Sequence, residues 1–385
     1  MIYRNFKDTG MKTSLLGLGG MRFPRIGDTE NVDFPKAEKI VEYAYEHGIN
    51  YFDTAYVYHD GDSERLFGKV LTKYPRDSYY IADKMPIFII TDKKQVAEVF
   101  QEQLDRCQVD YFDFYLCHSM NEVTIDDYIK YDVIPYLVEM KKQGKIKQLG
   151  FSNHGSPETL KRALDLADWD FVQLQLNYLD WQYYHGEELY NLCKERNIPV
   201  MVMEPVRGGR LADLTPESNA LLKAAAPDKS IPSWAMRWMQ GLDGVQVVLS
   251  GAGDTQMLDD NLKTFSEINL LNDEEQKVLD KALDIFMEKF SIPCTACRYC
   301  TETCPQKLQI PDILSIYNEM LLTDDKMPYI KSMQQPEDRQ PGNCIGCGAC
   351  TKRCPQFIDI PGKMKAMLEK REKWATDNAE ELAKS

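Results

Sequence analysis

Eight of the eleven cysteines fall in two runs near the C-terminus: Cys294, Cys297, Cys300 and Cys304, then Cys344, Cys347, Cys350 and Cys354. Each run reads C-x2-C-x2-C-x3-C-P, with Pro305 and Pro355 as the closing prolines. Thiolates at this spacing suit a [4Fe–4S] cluster. The runs repeat at a fixed offset of fifty residues (294 to 344, 297 to 347, 300 to 350, 304 to 354), and Ile310-Pro311 recurs as Ile360-Pro361. A zinc site closes with four ligands, commonly two separated C-x2-C pairs, and needs neither the third cysteine at the next step nor the proline. A disulfide framework would call for an oxidising compartment. The N-terminal stretch Met1–Lys7 has no apolar signal-peptide core, so a cytoplasmic location is expected. Two clusters mean one-electron carriers, and therefore a redox protein.

The duplicated runs are similar to those of two-cluster ferredoxins, in which the fourth cysteine of each run ligates the other cluster. On that pattern Cys294, Cys297, Cys300 and Cys354 hold one cluster, and Cys344, Cys347, Cys350 and Cys304 hold the second. The remaining Cys107, Cys117 and Cys193 lie in segments that read as helix or strand, where a thiol is a small buried apolar group.

A second chemistry requires elements that can position it. The first 270 residues alternate short β-rich runs with amphipathic segments. Strands are expected at 15–18, 49–52, 79–82, 112–117, 148–151, 171–176, 200–203 and 245–249. Helices between them are expected at 35–47, 63–73, 93–107, 133–143, 157–166, 187–196, 233–239 and 256–264. Strands alternating with helices imply parallel βαβ units. Eight such units in this length predict a closed (β/α)8 TIM barrel. The doubly wound alternative lacks its glycine fingerprint, because Leu16-Gly17-Leu18-Gly19-Gly20 is not G-x-G-x-x-G. A helix over 272–290 leads directly into the first cysteine run. Helix 310–322 follows, then a proline-bearing polar stretch, 323–342, expected to be loop. The tail after Lys363 reads as a charged helix whose last ten residues fray. The α/β barrel is thus expected over 1–288, and a small, mainly helical dicluster ferredoxin-like domain over 289–385.

Composition sets outer bounds. The chain has 385 residues, 43% hydrophobic and 28% charged, as in an ordinary soluble protein. No apolar run is long enough to span a membrane. A net charge of -14 argues against nucleic-acid and anionic-membrane partners.

Barrel active sites form at the C-terminal ends of the strands. Those ends carry Asp53, Lys84, His118, Ser152-Asn153 and Gln173, with Tyr58 just after the second strand. Taken singly, a strand-end Asp is often only a helix cap, a Lys a solvated charge and a His a core residue. Together they form a set with a purpose. Reducing a carbonyl needs a hydride at carbon and a proton at oxygen. A tyrosine hydroxyl, with its ordinary pKa of about 10, becomes a usable acid beside a lysine ammonium. An aspartate would hold that lysine charged, and a histidine could hydrogen-bond the substrate oxygen or help relay the proton. His59 beside Tyr58 is expected at the pocket mouth; His47, His154 and His185 are read as surface or structural.

Over roughly residues 1–288 the chain resembles the aldo-keto reductase family. The motifs are Asp53-Thr54-Ala55-x-x-Tyr58, Gly61-x-Ser63-Glu64-x-x-x-Gly68, Asp83-Lys84, Tyr115-Leu116-x-His118, Gly150-Phe151-Ser152-Asn153 and Gln173-x-x-x-Asn177. The resemblance implies a catalytic tetrad of Asp53, Tyr58, Lys84 and His118. It also implies nicotinamide binding, with Ser152, Asn153 and Gln173 on the carboxamide. Glu204, Pro205, Val206 and Gly208 would cover the pyrophosphate, and Ser250, Gly251, Ala252 and Asn261 would hold the adenosine phosphate. Two positions depart from the family pattern. Met203 stands where many members place a stacking aromatic. Met257 stands where NADPH-specific members often place an arginine, for which Arg207 or Arg210 could compensate. NADP(H), NAD(H) and a bound flavin all stay open.

Hydride transfer moves two electrons and each cluster moves one. Three readings compete: an oxidoreductase acting on a small carbonyl or alcohol, with clusters exchanging electrons with the barrel or a redox partner protein; the same enzyme with structural clusters; and an electron-transfer protein whose barrel is a docking scaffold.

Overall fold

A computed structural model describes residues 1–27, 31–322 and 325–378. The chain divides into two compact units: Met1–Val206 with Ala226–Gln276, and Arg207–Ala225 with Lys277–Ser385.

The first unit opens with an antiparallel hairpin, β1 (Tyr3–Asn5) and β2 (Lys12–Ser14). Eight further strands follow: β3 (Leu16–Gly19), β4 (Tyr51–Asp53), β5 (Tyr80–Met85), β6 (Phe112–Met120), β7 (Ile146–Asn153), β8 (Phe171–Gln175), β9 (Val200–Met203) and β10 (Val245–Ser250). All eight pair in parallel and close into a barrel in the order β10-β3-β4-β5-β6-β7-β8-β9. This is the expected (β/α)8 architecture. The hairpin was not foreseen, since three-residue strands carry too short a pattern to read.

The barrel interior is a packed core. Phe6, Tyr51, Ala82, Phe114, Phe171, Met201 and Val247 fill it, and Phe6 meets Phe114 edge-on at 5.2 Å between ring centroids. A larger apolar layer lies between the strands and their surrounding helices. Cys107, Cys117 and Cys193 are buried in that layer. Burial pushes all three thiols up, Cys193 to about 12, which keeps them protonated and inert.

Several strands run past their expected ends. β5 continues from Ala82 to Met85, β6 from Cys117 to Met120 and β7 from Phe151 to Asn153. The expected ends stop where a polar residue first follows the apolar run. The ladder itself is made by backbone groups and continues through the polar residues beyond. Helix Asp62–Leu71 packs on helix Lys93–Cys107, which starts at an Asp92/Gln95 capping box. The contact needs Gly68, where a Cβ would sit 2.6 Å from the Arg106 carbonyl oxygen.

The second unit is helical. Its core gathers Ile292, Ile313, Leu314, Met320, Ile360, Met364 and Met367 around Cys300 and Cys350. Helix Ile310–Leu322 lies where expected. The stretch expected as loop instead contains helix Met327–Met333 and two short turns, Glu337–Arg339 and Pro341–Asn343. Pro328 is tolerated because it occupies the first turn of that helix. The buried Tyr329 stacks on Trp374 at 4.8 Å, a long-range contact invisible to a local reading. The tail forms helix Ile360–Asp377. The expected fraying of the last ten residues falls largely on 379–385, outside the described residues.

The cysteine duplication is repeated in the backbone. Ala296 and Gly346, Arg298 and Gly348, and Lys307 and Phe357 all adopt positive φ, at matching positions of the two runs. Lys307 N–H donates to the Cys304 carbonyl at 3.0 Å, and Phe357 N–H to the Cys354 carbonyl at 3.1 Å. Each pair takes one residue from each half of an internally repeated fold.

Candidate active site and cluster centres

Asp53 ends β4, and Lys84 lies near the C-terminal end of β5. Both are buried, at 3% and 1% exposure. Lys84 Nζ donates to Asp53 Oδ1 at 2.6 Å and to the Thr54 carbonyl. Gln173 Nε2, from β8, donates to Asp53 Oδ2 at 3.2 Å. Burial raises the Asp53 carboxyl above its ordinary value, and the Lys84 ammonium is the largest opposing influence. Lys84 Nζ sits over the Tyr58 ring, 4.9 Å from its centroid. The His118 ring meets Tyr58 edge-on at 6.0 Å and Phe88 at 5.5 Å. Asp53, Tyr58, Lys84 and His118 therefore converge at one mouth of the barrel.

His118 owes its position to an irregular ladder. The β6–β7 register shifts between Cys117 and Met120, and Ser119 adopts φ 59°. Such a bulge re-aims the side chains around it. Ser119 N–H donates to Ser152 Oγ at 2.7 Å, and the His118 carbonyl accepts from Tyr128 Oη at 2.7 Å.

A polar layer behind the lysine escaped the sequence reading. Lys84 N–H donates to Asp83 Oδ1 at 2.8 Å, and Gln103 Nε2 donates to the Lys84 carbonyl at 3.0 Å. Tyr115 Oη donates to Gln103 Oε1. Asp83 and Glu64 are both fully buried, and Arg106 Nη1 donates to Glu64 Oε2 at 2.8 Å. Burial and then the Glu64 charge push the Asp83 carboxyl well above its ordinary value. Glu64 and Asp83 stood in the motifs as letters. Their partners Gln103, Arg106 and Tyr115 come from other elements and carry no local signal.

The residues expected at a nicotinamide behave as follows. Asn153 Nδ2 donates to the Gly155 carbonyl at 3.0 Å, while its buried Oδ1 has no hydrogen-bond partner among the described residues. An unmatched amide oxygen at the strand ends fits the NH2 of a carboxamide. Asn261 Nδ2 donates to Ser250 Oγ at 2.8 Å, which fixes the end of β10. Glu204 pairs with Arg22 at 3.0 Å, and the Arg22 stem packs on Gly251 and the adjacent Ala252 segment. Arg22 was not foreseen. Its signal would have been a lone cation in the turn that leaves β3. Pro205 and Val206 stay with the barrel unit, whereas Gly208 belongs to the second unit. Arg207 is fully buried and directed at Pro293 and Gln356, so it is not available for a phosphate.

In the second unit Cys304, Cys344, Cys347 and Cys350 line one pocket together with Leu308, Ile360 and Met364. Cys354 is not part of that lining. Burial pushes the Cys300 thiol up, with Cys297, Cys294 and Cys354 the next largest influences and Cys350 after them. A pocket walled by four thiols has the donors a [4Fe–4S] cluster requires. No disulfide joins any of the eleven cysteines. Among the described residues, no three His, Cys, Asp or Glu side chains converge to hold a single metal ion.

The chain belongs to the aldo/keto reductase family, whose profile matches residues 15–284, and a 4Fe-4S dicluster domain matches residues 293–358. It is therefore an oxidoreductase. A probable aldo-keto reductase of Glycine max is 30% identical over 232 residues, covering 56% of this chain and 63% of that one. L-galactose dehydrogenase of Arabidopsis thaliana is 25% identical over 298 residues, covering 71% and 91%. Among solved structures, a holo-form aldo-keto reductase of Bacillus halodurans is 28% identical, with a TM-score of 0.61 over 73% of this chain and 96% of that one. No helix among the described residues is long and apolar enough to cross a membrane.

Two predictions arise here. His59 stacks on Phe23 with ring centroids 6.2 Å apart, and burial lowers its imidazole to about 4, with the Arg25 charge adding to the effect. Above the ordinary value of about 6.5 the ring is neutral in both folded and unfolded chains and contributes nothing. Between about 6.5 and 4 the unfolded chain takes up the proton first, so stability falls by an amount on the order of 3 kcal/mol. His59→Gln should lack this component. The difference between wild-type and variant unfolding free energies, measured by urea titration at about pH 7 and pH 5, should move against the wild type in acid. Parallel pH curves would clear His59. Separately, Cys354→Ser should damage the cluster of Cys294, Cys297 and Cys300, leaving about half the iron in a single intact four-iron cluster. Loss confined to the cluster of Cys344, Cys347 and Cys350 would show uncrossed ligation.

Proposed function

We propose that this chain reduces a small carbonyl compound, or oxidises the corresponding alcohol, with a nicotinamide cofactor, and that two [4Fe–4S] clusters serve electron transfer. The observation that carries the reading is the buried Lys84 ammonium, 2.6 Å from Asp53 and 4.9 Å from the Tyr58 ring centroid. When bound, the nicotinamide supplies a hydride and the clusters supply one-electron relays. Tyr58 gives its hydroxyl proton to the oxygen developing negative charge, and the Lys84 ammonium stabilises the phenolate left behind. Asp53 keeps Lys84 charged and aimed. His118 hydrogen-bonds the substrate oxygen and orients its lone pair toward Tyr58. In the oxidising direction the same groups act in reverse.

Ser152, Asn153 and Gln173 are assigned to the carboxamide. Glu204, Pro205, Val206 and Gly208 are assigned to the pyrophosphate, and Ser250, Gly251, Ala252 and Asn261 to the adenosine phosphate. The unmatched Asn153 Oδ1 supports the first assignment. Met257, 57% exposed, leaves the adenosine end without the usual arginine and favours NADH over NADPH. The reductase part is assigned to 1–288 and the electron-transfer part to 289–385, in a cytoplasmic protein whose clusters exchange electrons with a redox partner.

Tyr58→Phe should lower turnover at least about a hundredfold, the lower range for a positioned acid–base group, while nicotinamide still binds. Near-normal turnover in that variant would remove Tyr58 from the chemistry. Anaerobic stopped-flow mixing with NADH or NADPH, alone and with a carbonyl substrate, in the presence of a flavin that takes the hydride's electron pair and passes it on one electron at a time, should bleach the cluster absorbance within the turnover time. Clusters that stay oxidised throughout full-rate turnover would leave them a structural role.

A further inference from the structure

Arg207 joins the segments that flank the two cysteine runs. Its residue is fully buried in the second unit. Its backbone is held at φ 50°, a left-handed conformation that a non-glycine residue keeps only where the surroundings enforce it. Its guanidinium fork reaches two separate peptide segments. Nη1 donates to the Pro293 carbonyl at 3.2 Å, and Nη2 donates to Gln356 Oε1 at 2.9 Å. The guanidinium carbon also lies over the Phe290 ring, 5.4 Å from its centroid.

The two segments are not an arbitrary pair. Pro293 immediately precedes Cys294, and Gln356 lies two residues beyond Cys354. In the crossed arrangement Cys294 and Cys354 belong to the same set of four, one from each end of the duplicated region. They are the ligands with the greatest separation along the chain, so chain connectivity does least to hold them together. A buried two-pronged cation bridging their flanks does what connectivity cannot. The pocket of the other set is lined by apolar side chains, cysteines and Gln306, Arg207 is not part of that lining, and Cys347 is exposed.

We propose that Arg207 is the clamp of the cluster held by Cys294, Cys297, Cys300 and Cys354, and that its permanent positive charge sets that cluster at a higher reduction potential than its twin. Resting on the two-cluster reading above, it makes Arg207 a positioning residue that also tunes an electron carrier. Adding an electron makes a cluster more negative by one charge. A fixed cation in a buried setting stabilises the reduced form, and net charge and hydrogen bonding near the sulfurs are known determinants of cluster potential. The exposed set, without that cation, is the lower-potential site and the one open to an external electron donor or acceptor.

The test uses full-length protein purified anaerobically. Iron analysis of the wild type comes first: little iron would defeat the two-cluster reading itself, before any variant is made. Arg207→Met and Arg207→Gln remove the charge, and Arg207→Lys keeps it. Each is titrated potentiometrically with dithionite and followed by electron paramagnetic resonance. In the neutral variants one midpoint should drop by at least a tenfold change in its one-electron equilibrium, about 59 mV, with the other unmoved. Arg207→Lys should hold both near their wild-type values. Selective loss of the higher-potential cluster in the neutral variants, with the survivor at its wild-type potential, would equally support the clamp, and selective loss of the lower-potential one would overturn it. Two retained clusters with unchanged potentials would overturn it, and so would equal shifts of both potentials or loss of both clusters together.

Discussion

The barrel site depends on one buried charge. Lys84 is 1% exposed, and an ammonium so enclosed is tolerable only with an opposite charge and full hydrogen bonding. Asp53 and the Thr54 carbonyl provide these, and Gln173 occupies the second oxygen of Asp53. Strands β4, β5 and β8 are thereby tied across the barrel mouth by a single polar cluster. Removing either charged partner would strand the other, which typically costs about 3–5 kcal/mol. The same enclosure serves chemistry, because a charge in a water-poor site acts on a neighbouring tyrosine far more strongly than one in solvent. Position and reactivity here have one physical origin.

Behind that pair stands a second layer with a different strategy. Asp83 and Glu64 are both buried, burial and the Glu64 charge push the Asp83 carboxyl well up, and Arg106 pairs with Glu64. Asp83 then accepts from the Lys84 amide, while Gln103 binds the Lys84 carbonyl. Both sides of the lysine peptide are fixed, which leaves its side chain little freedom to swing away from Tyr58. Gly68 admits the helix that supplies Glu64 to the helix that supplies Arg106 and Gln103.

The second unit solves its own problem by duplication. Four thiolates must be gathered twice in a small region, and the chain does so by repeating one turn-and-helix unit whose backbone passes through the left-handed region at the same three places. The second copy places glycine at two of them, Gly346 and Gly348, where the first carries Ala296 and Arg298. Glycine adopts that conformation without penalty, whereas the first copy must be held there by packing. The unit also includes a segment from far upstream, Arg207–Ala225, where Ser218 Oγ donates to the Ala282 carbonyl at 2.8 Å. The dicluster unit is therefore built from two stretches of chain rather than from the C-terminal stretch alone.

Much of this was legible in the amino-acid order. Alternating β-rich and amphipathic segments fixed the eight strands, because a parallel strand is apolar over its whole length and a surface helix is apolar on one face. The cysteine spacing declared a cluster-binding domain, because ligand geometry allows few spacings. The resemblance to aldo-keto reductases named Asp53, Tyr58, Lys84 and His118 as candidates, since motif residues stay at strand ends. What the order of residues left undecided is what depends on distant parts of the chain. The helix at Met327–Met333 exists because Tyr329 meets Trp374. The polar strand ends exist because backbone pairing does not consult side chains. Arg207, in a loop that reads as a cofactor segment, turns to Pro293 and Gln356 because only the folded second unit brings those groups to it. Periodicity and spacing are local properties and survive in one dimension; the partner of a buried charge is chosen in three.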